Sequence, residues 1–344
     1  MRKKNIAITL LLLLAALLCC MVVANMIGPV FIPPVAVIKT WINACCASIN
    51  GVSQSYSTII LNIRLPRVLL AALVGMGLSC AGGALQGLFR NPMADPYVLG
   101  MSSGAAAGAA LSLVCGFGAF FGTYAVQASA FIGAFGTIFL VYWLGRSEGK
   151  TITETVLLAG IAVGFFLQAI VSFLKVVASD EALRSVVLWM MGSFSTATWH
   201  DVIVTIVPIG AGCIGLACLG RELNALQSGE ETAMHLGMRV EVIKNLVLIF
   251  VSLITASAVA VSGIIGFVGL IIPHVMRLII GPDHRALIPA SCLAGGIFMV
   301  IADTVARTAA GAAEIPIGII TAAIGGPYFI YLLRRRKKSV QRWV

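Results

Sequence analysis

Charge is what this sequence has least of: 10% of its 344 residues are Asp, Glu, Lys or Arg, against about a quarter in a soluble domain. So few charges exclude an ordinary water-soluble enzyme. Acids are scarcer than bases, 13 against 23, and histidine is held to 4. No Cys-x-x-Cys occurs among the nine cysteines, which fall as the pairs Cys19, Cys20 and Cys45, Cys46 and the single Cys80, Cys115, Cys213, Cys218 and Cys292. That spacing supplies neither a zinc site nor a dithiol redox motif, and a thiol inside an apolar run acts as a small hydrophobe. Only Cys45 and Cys46 are placed to face an oxidising compartment. A phosphate-binding loop is also missing. Gly145-Arg-Ser-Glu-Gly-Lys-Thr151 ends in GKT, yet GxxxxGK[ST] needs glycine where Leu144 stands, and no strand precedes it. The segment reads as a turn, and the chain does not hydrolyse nucleotide by itself.

What is present is apolar: 60% of residues belong to the AVILMFWYC set and the mean hydropathy is +1.03. A bilayer-spanning helix takes about 20 such residues. Ten runs qualify: 6–27, 65–89, 98–117, 124–144, 155–177, 202–219, 242–261, 264–280, 286–305 and 315–333. The expected fold is therefore all-α, a single polytopic membrane domain over residues 1–344 with about ten transmembrane helices. Residues 6–27 follow Arg2, Lys3 and Lys4; the run exceeds a typical signal-peptide core and further spans follow, which favours a retained anchor. Ten spans put both termini on one side. With that side cytoplasmic, the outer face keeps only Lys39, Arg64, Arg67, Lys175, Arg184 and Arg307 of the 23 cations, as the positive-inside rule requires. The net charge of +10 is thus topological, and nucleic acid is not expected as a partner.

Two outer segments are too short to span. Residues 35–49 have apolar positions at helical spacing with Lys39 and Trp41, the pattern of an interfacial helix; residues 182–191 read as a half-helix or lid. Small residues recur every four positions, at Gly75, Ser79, Gly83 and Gly87 and at Gly100, Gly104, Gly108, Ser112 and Gly116. Such stripes let helices approach closely, chiefly within one subunit.

Ion-coupled carriers place ionisable groups near mid-membrane, and these runs are almost bare. Lys175, Lys244, Arg277 and Asp303 lie near span ends, and His274 beside Pro273 reads as a packing residue before a proton relay. At the outer ends Arg64 and Arg67 flank Pro66, and Arg307 follows Asp303 by one helical turn. Snorkelling and an i,i+4 ion pair are one reading; a positive rim that docks an acidic partner is the other. On the inner side residues 221–244 carry Glu222, Glu230, Glu231 and Glu241 among ordered apolar positions, with breaks at Gly229 and Gly237. Two short helices presenting a face to a cytoplasmic partner are expected there.

Arg64-Leu-Pro-Arg67, the stretch Gly87-Leu-Phe-Arg-Asn-Pro-Met-Ala-Asp-Pro-Tyr-Val-Leu-Gly100, the segment Leu226 to Gly237, Gly263 to His274 with Arg277, and Ile315-Pro-Ile-Gly318 with Gly325-Gly-Pro327 together resemble the FecCD-type permeases. These are the membrane subunits of ABC importers for iron chelates, haem and cobalamin in prokaryotic cytoplasmic membranes. The resemblance runs nearly the whole chain and is specific for the family, not the substrate. It implies a second permease copy, with a homodimer favoured over paired permeases; two ATPase subunits below, which hold the ATP and Mg while this chain binds no cofactor; and a substrate-binding protein outside. Docking maps onto Arg64, Arg67 and Arg307; ATPase coupling onto Leu226, Gly229, Glu230, Glu231, Ala233, Leu236 and Gly237; inner gates onto Asn91, Met93, Lys150 and Thr151; and pathway lining onto Gln168 and Ser172. An iron(III)–siderophore complex is the first substrate expected, with cobalamin or haem as alternatives. An ion-gradient carrier or a membrane enzyme would each need a polar mid-membrane constellation that the runs do not supply.

Overall fold

The computed structural model describes residues 3–45, 53–147, 150–311 and 313–340. It is helical throughout, apart from one hairpin of two-residue strands. In chain order the helices are α1 (Lys3–Met26), α2 (Pro34–Cys45), α3 (Gln54–Thr58), α4 (Leu65–Leu88), α5 (Met101–Cys115), α6 (Ala125–Leu144), α7 (Thr153–Val177), α8 (Asp180–Met190), α9 (Trp199–Cys218), α10 (Gly220–Gln227), α11 (Glu230–His235), α12 (Val240–Ser262), α13 (Val268–Ile280), α14 (His284–Thr308) and α15 (Ile317–Val340). A π-helical stretch, Ile59–Arg64, joins α3 to α4 without a break. Strands β1 (Arg146–Ser147) and β2 (Lys150–Thr151) pair antiparallel between α6 and α7.

Among the described residues seven helical segments are long and apolar enough to cross a bilayer, and three more, Met101–Cys115, Val268–Ile280 and Ile317–Leu332, are apolar but shorter. The expected third and eighth spans are cut at their starts. Residues 96–99 form a 3-10 turn closed by Gly100 at φ +79°, and Gly263 and Phe267 at φ +68° and +70° hold 263–267 out of helix. At 13 residues α13 is only about 20 Å long. Irregular backbone beside such a short helix is tolerated where protein satisfies its polar groups, and here it does. The Tyr97 hydroxyl donates to the Ile265 carbonyl (3.0 Å) and accepts from the Ile265 N–H (3.3 Å). Gln86 Nε2 donates to the carbonyls of Gly269 and Leu270 at 3.2 and 3.3 Å. The Ser193 N–H donates to Ser262, and those of Ile317 and Gly318 to Gly192 and Met191. The foot of α8, the start of α15 and the break before α13 thereby meet.

Helix α4 is the centre of the bundle, packed against α9, α12, α13 and α14. Its small-residue stripe is what permits this. A Cβ on Gly75 would strike the Gly295 carbonyl of α14, Gly83 faces Pro273 of α13, and a Cβ on Gly87 would lie 2.5 Å from the His284 ring. The α5 stripe meets α6, where Gly104 and Gly108 abut Gly133 and Ser129. Both stripes serve packing within one chain. Thiols also converge: Cys213 of α9 is in hydrogen-bonding reach of Cys80 on α4 and Cys292 on α14, an apolar contact of soft, small side chains. The two short segments expected on the outer side are helical: α8 is capped by Ser179, which accepts from the Ala182 N–H, and α2 covers 34–45. The rest of the 35–49 reading, Cys46 included, lies outside the described residues.

Candidate functional site

At one end of the bundle, α10 and α11 form a bracket between α9 and α12. Leu223, Leu226 and Ala233 are buried and seat it; Glu231, Met234 and Leu236 face outward. Gly229 at φ +116° and Gly237 at φ +81° make its turns, conformations that L side chains rarely adopt. The bracket is tied down twice. Asn224 of α10 donates through Nδ2 to Asp283 (2.7 Å), while its Oδ1 accepts the His284 N–H (2.8 Å). His284 Nδ1 lies 2.9 Å from that same acceptor, which places the ring proton on Nδ1. Asp283 also holds Arg285, with the shortest contact at 2.6 Å. Those Arg285 bonds, with the Asn224 bond, keep the Asp283 carboxyl well below the usual carboxylate range.

The second tie is a polar knot. Lys244 of α12 is 3% exposed, and its Nζ donates to Glu230 of α11 (2.7 Å), to the Thr151 carbonyl of β2 (3.0 Å) and to Glu241 (3.3 Å). Glu241 turns its other oxygen to the Thr151 N–H at 2.9 Å. Three of the segments named from sequence therefore border one cleft of about 290 Å³: Arg90 beside Asn91, Thr151 of the hairpin, and Glu230 of the bracket. Asn91 itself is exposed, and its Oδ1 accepts the Met93 N–H at 3.0 Å. Past that turn Asp95 is 8% exposed and caps the 96–99 turn by accepting from the Tyr97 N–H (2.9 Å). Burial, partly offset by that bond, pushes its carboxyl up to about 6.

At the opposite end the three arginines do not form an open rim. Arg64 and Arg307, 4% and 7% exposed, turn inward onto the end of α1. Arg64 donates to the carbonyls of Asn25 (2.6 Å), Met26 (3.1 Å) and Val30 (2.5 Å), and Arg307 donates to that of Ala24. The Ala24, Asn25 and Met26 carbonyls are among those a helix C-terminus leaves without intrahelical partners, and cations suit that end of the helix dipole. The i,i+4 pair of Arg307 with Asp303 does not form, because Asp303 is taken by Arg67 through Nε and Nη2 at 2.9–3.1 Å. Arg67 gives its Nη1 edge to Glu314 at 2.9 Å. Asp303 is buried and Glu314 is 41% exposed, so Nη1 is the exchangeable edge of this corner. Gln168 and Ser172 lie one turn apart on α7, the Ser172 hydroxyl donating to the Gln168 carbonyl (2.9 Å). His274 sits edge-on to Tyr328 with ring centres 6.4 Å apart.

Sequence reasoning placed Asn224, Glu241 and Lys244 within the 221–244 segment without giving them a role, and missed Asp283 and His284 as members of the site. The local signals were the i,i+3 spacing of Glu241 and Lys244 and the i,i+2 spacing of Asp283 and Arg285; the remaining contacts join residues 14 to 93 positions apart.

Residues 12–335 match the FecCD transport family. The chain is 48% identical over 287 residues to the cobalamin import system permease protein BtuC of Halobacterium salinarum, covering 83% of this chain and 76% of that one. It is 43% identical over 281 residues to the hemin transport system permease protein HmuU of Yersinia pestis, covering 81% and 84%. A solved metal-chelate type ABC transporter in an inward-facing conformation superposes with a TM-score of 0.82 at 34% identity, over 95% of this chain and 98% of that one. A match across nearly all of the helices described above decides the family: the chain belongs to the FecCD transport family.

Proposed function

We propose that this chain is the membrane-spanning subunit of an ATP-driven importer of a bulky metal chelate. In this reading it has ten spans, the seven long helices and the three shorter apolar ones, with both termini and the α10–α11 bracket on the cytoplasmic side of a prokaryotic membrane. It works as a homodimer on two ATPase subunits, which carry the ATP and Mg, and receives substrate from an external binding protein. The observation that carries the reading is the bracket. Its outward Glu231, Met234 and Leu236 form a mixed polar and apolar face suited to a partner's cleft, and its inward side is locked to the bundle. Closure of the ATPases moves the bracket, the packed helices turn as bodies, and the open end of the path switches. Such a machine needs differential rather than tight substrate binding, in keeping with the near absence of charge from the helix interiors.

Docking of the binding protein is assigned to the Arg64, Arg67 and Arg307 corner, with the Arg67 Nη1 edge meeting the partner's carboxylate and the other two arginines holding the seat. An iron(III)–siderophore complex is the first substrate. Cobalamin is the second reading, favoured by the relative that is 48% identical over 287 residues. The test is reconstitution with the ATPase and binding protein, and uptake measured over a panel of ferric siderophores, haem and cobalamin. ATP-dependent uptake that survives a protonophore supports the importer; uptake that survives ATP depletion and collapses with a protonophore refutes it. In the same system Arg67→Glu is expected to weaken capture of the binding protein while ATP hydrolysis without substrate persists; unchanged capture removes the docking assignment.

A further inference from the structure

We infer that Lys244 is the link by which the α10–α11 bracket moves the β1–β2 hairpin, a positioning residue of the transport cycle. The inference rests on the importer reading above. A buried ammonium is costly unless every proton is matched, and Lys244 is matched by acceptors from three separate elements: Glu230 of α11, the Thr151 carbonyl of β2 and Glu241 of its own helix. Glu241 completes the hold by accepting the Thr151 N–H. The donor and acceptor of a single residue of the hairpin are thus clamped by two side chains of α12, while the third arm of the ammonium reaches the bracket.

Burial of an ion pair is weak evidence for stability, since apolar residues of the same volume serve as well or better; its best-attested use is to fix one arrangement against another. The arrangement fixed here is the relative position of bracket and hairpin. Helix α11 has six residues and one buried side chain, Ala233. Among the described residues, the Glu230–Lys244 bond of 2.7 Å is the side-chain hydrogen bond that ties it to α12. The cleft of about 290 Å³ beside the knot, lined also by Arg90 and Glu154, leaves the hairpin room to shift. A displacement of α11 by the ATPase therefore reaches Thr151 through one side chain.

The experiment uses the full complex with its ATPase subunits. Lys244→Met keeps an unbranched side chain only one heavy atom shorter and removes the donors. It is expected to assemble and hydrolyse ATP near the wild-type rate, with substrate moved per ATP down by about tenfold, within the ordinary range of coupling between sites. Lys244→Arg, which keeps the donors, is expected to restore most of it. Hydrogen exchange of the peptide spanning 146–153 supplies a readout that a purely structural role would not move: its protection should change on adding a non-hydrolysable ATP analogue in wild type and not in Lys244→Met. Should Lys244→Met fail to assemble, Glu241→Gln reads the same clamp. Unchanged transport per ATP, or a hairpin that still responds to nucleotide, overturns the link. So does loss of ATP hydrolysis together with uptake, which would make Lys244 a docking or folding residue. A wild-type complex without ATP-dependent uptake defeats the importer reading and the link with it; a working wild type with an equally efficient Lys244→Met defeats the link alone.

Discussion

Asp95 shows what one buried carboxyl does to the whole chain. It accepts a single backbone N–H, and burial raises it from 3.8 to about 6. The folded state therefore holds a proton that the unfolded state has already released between those two values. Stability is greatest where Asp95 is protonated in both states and falls as pH rises through that window, by roughly 3 kcal/mol in all, then levels off above about 6. Asp95→Asn keeps the acceptor for Tyr97 and removes the titration. Melting temperatures in detergent between about pH 4 and 7 are expected to fall with pH in wild type and to lose that component in the variant. Identical slopes would show that Asp95 is not the group responsible. The arginines teach a related lesson. Their residue type and position at span ends were readable, but which carbonyl or carboxylate each would meet was not, because Arg64 and Arg307 find their partners on α1, up to 283 residues away.

Close packing is where sequence pattern and element geometry agree best. The stripe at Gly104 and Gly108 announces a near approach without naming the partner, which proves to be a second stripe on α6, with Gly133, Thr137 and Ser129 against it. A Cβ at Gly108 would meet the Ser129 carbonyl, whereas one at Gly136 on the same α6 would have nothing within 4 Å. Gly108→Val is therefore expected to cost about 1–3 kcal/mol through overpacking and Gly136→Val close to nothing. Monodisperse yield and melting of the two purified variants decide this; equal losses would mean that helix insertion, not α5–α6 contact, sets the effect. The same comparison marks what was legible. The all-helical fold and the order of its long apolar helices follow from apolar runs, and α8 and the α10–α11 bracket from periodicity and glycine breaks. The shortened starts of α5 and α13 do not, since 98–100 and 264–267 are as apolar as the helices they precede. The first is a turn capped by Asp95 and closed by Gly100 in the left-handed region, and the second is held by the Tyr97 hydroxyl, 168 residues away.

At the scale of the whole molecule the helices divide by how much of them the chain itself covers. In its most apolar window α4 is 83% buried, while α7 is 22% and α1 is 11%. Lipid suits α1, whose outward side chains include Leu11, Leu12 and Leu18. Helix α7 is different, because Gln168 and Ser172 share a turn among its exposed Phe165, Phe166 and Phe173, and polar side chains in a span tend to face protein or a water-filled path. A two-fold axis beside α7 would set that face against its own copy, since an isologous contact pairs a surface with itself, and would place Gln168 and Ser172 on the path between subunits. With the exposed Cys19, Cys115 and Cys218, and Cys45 and Cys46, replaced by serine, Gln168→Cys is expected to cross-link two copies with a short bis-maleimide in native membranes. Leu11→Cys, 65% exposed on α1, should remain monomeric under the same treatment. Cross-linking at Leu11 and not at Gln168 would move the interface to α1 and leave α7 facing lipid. Cross-linking at Gln168 that lessens when a non-hydrolysable ATP analogue is bound to the partner ATPases would join the α7 face to the same cycle that moves the bracket, because a rigid-body turn of packed helices must open one end of the interface as it closes the other.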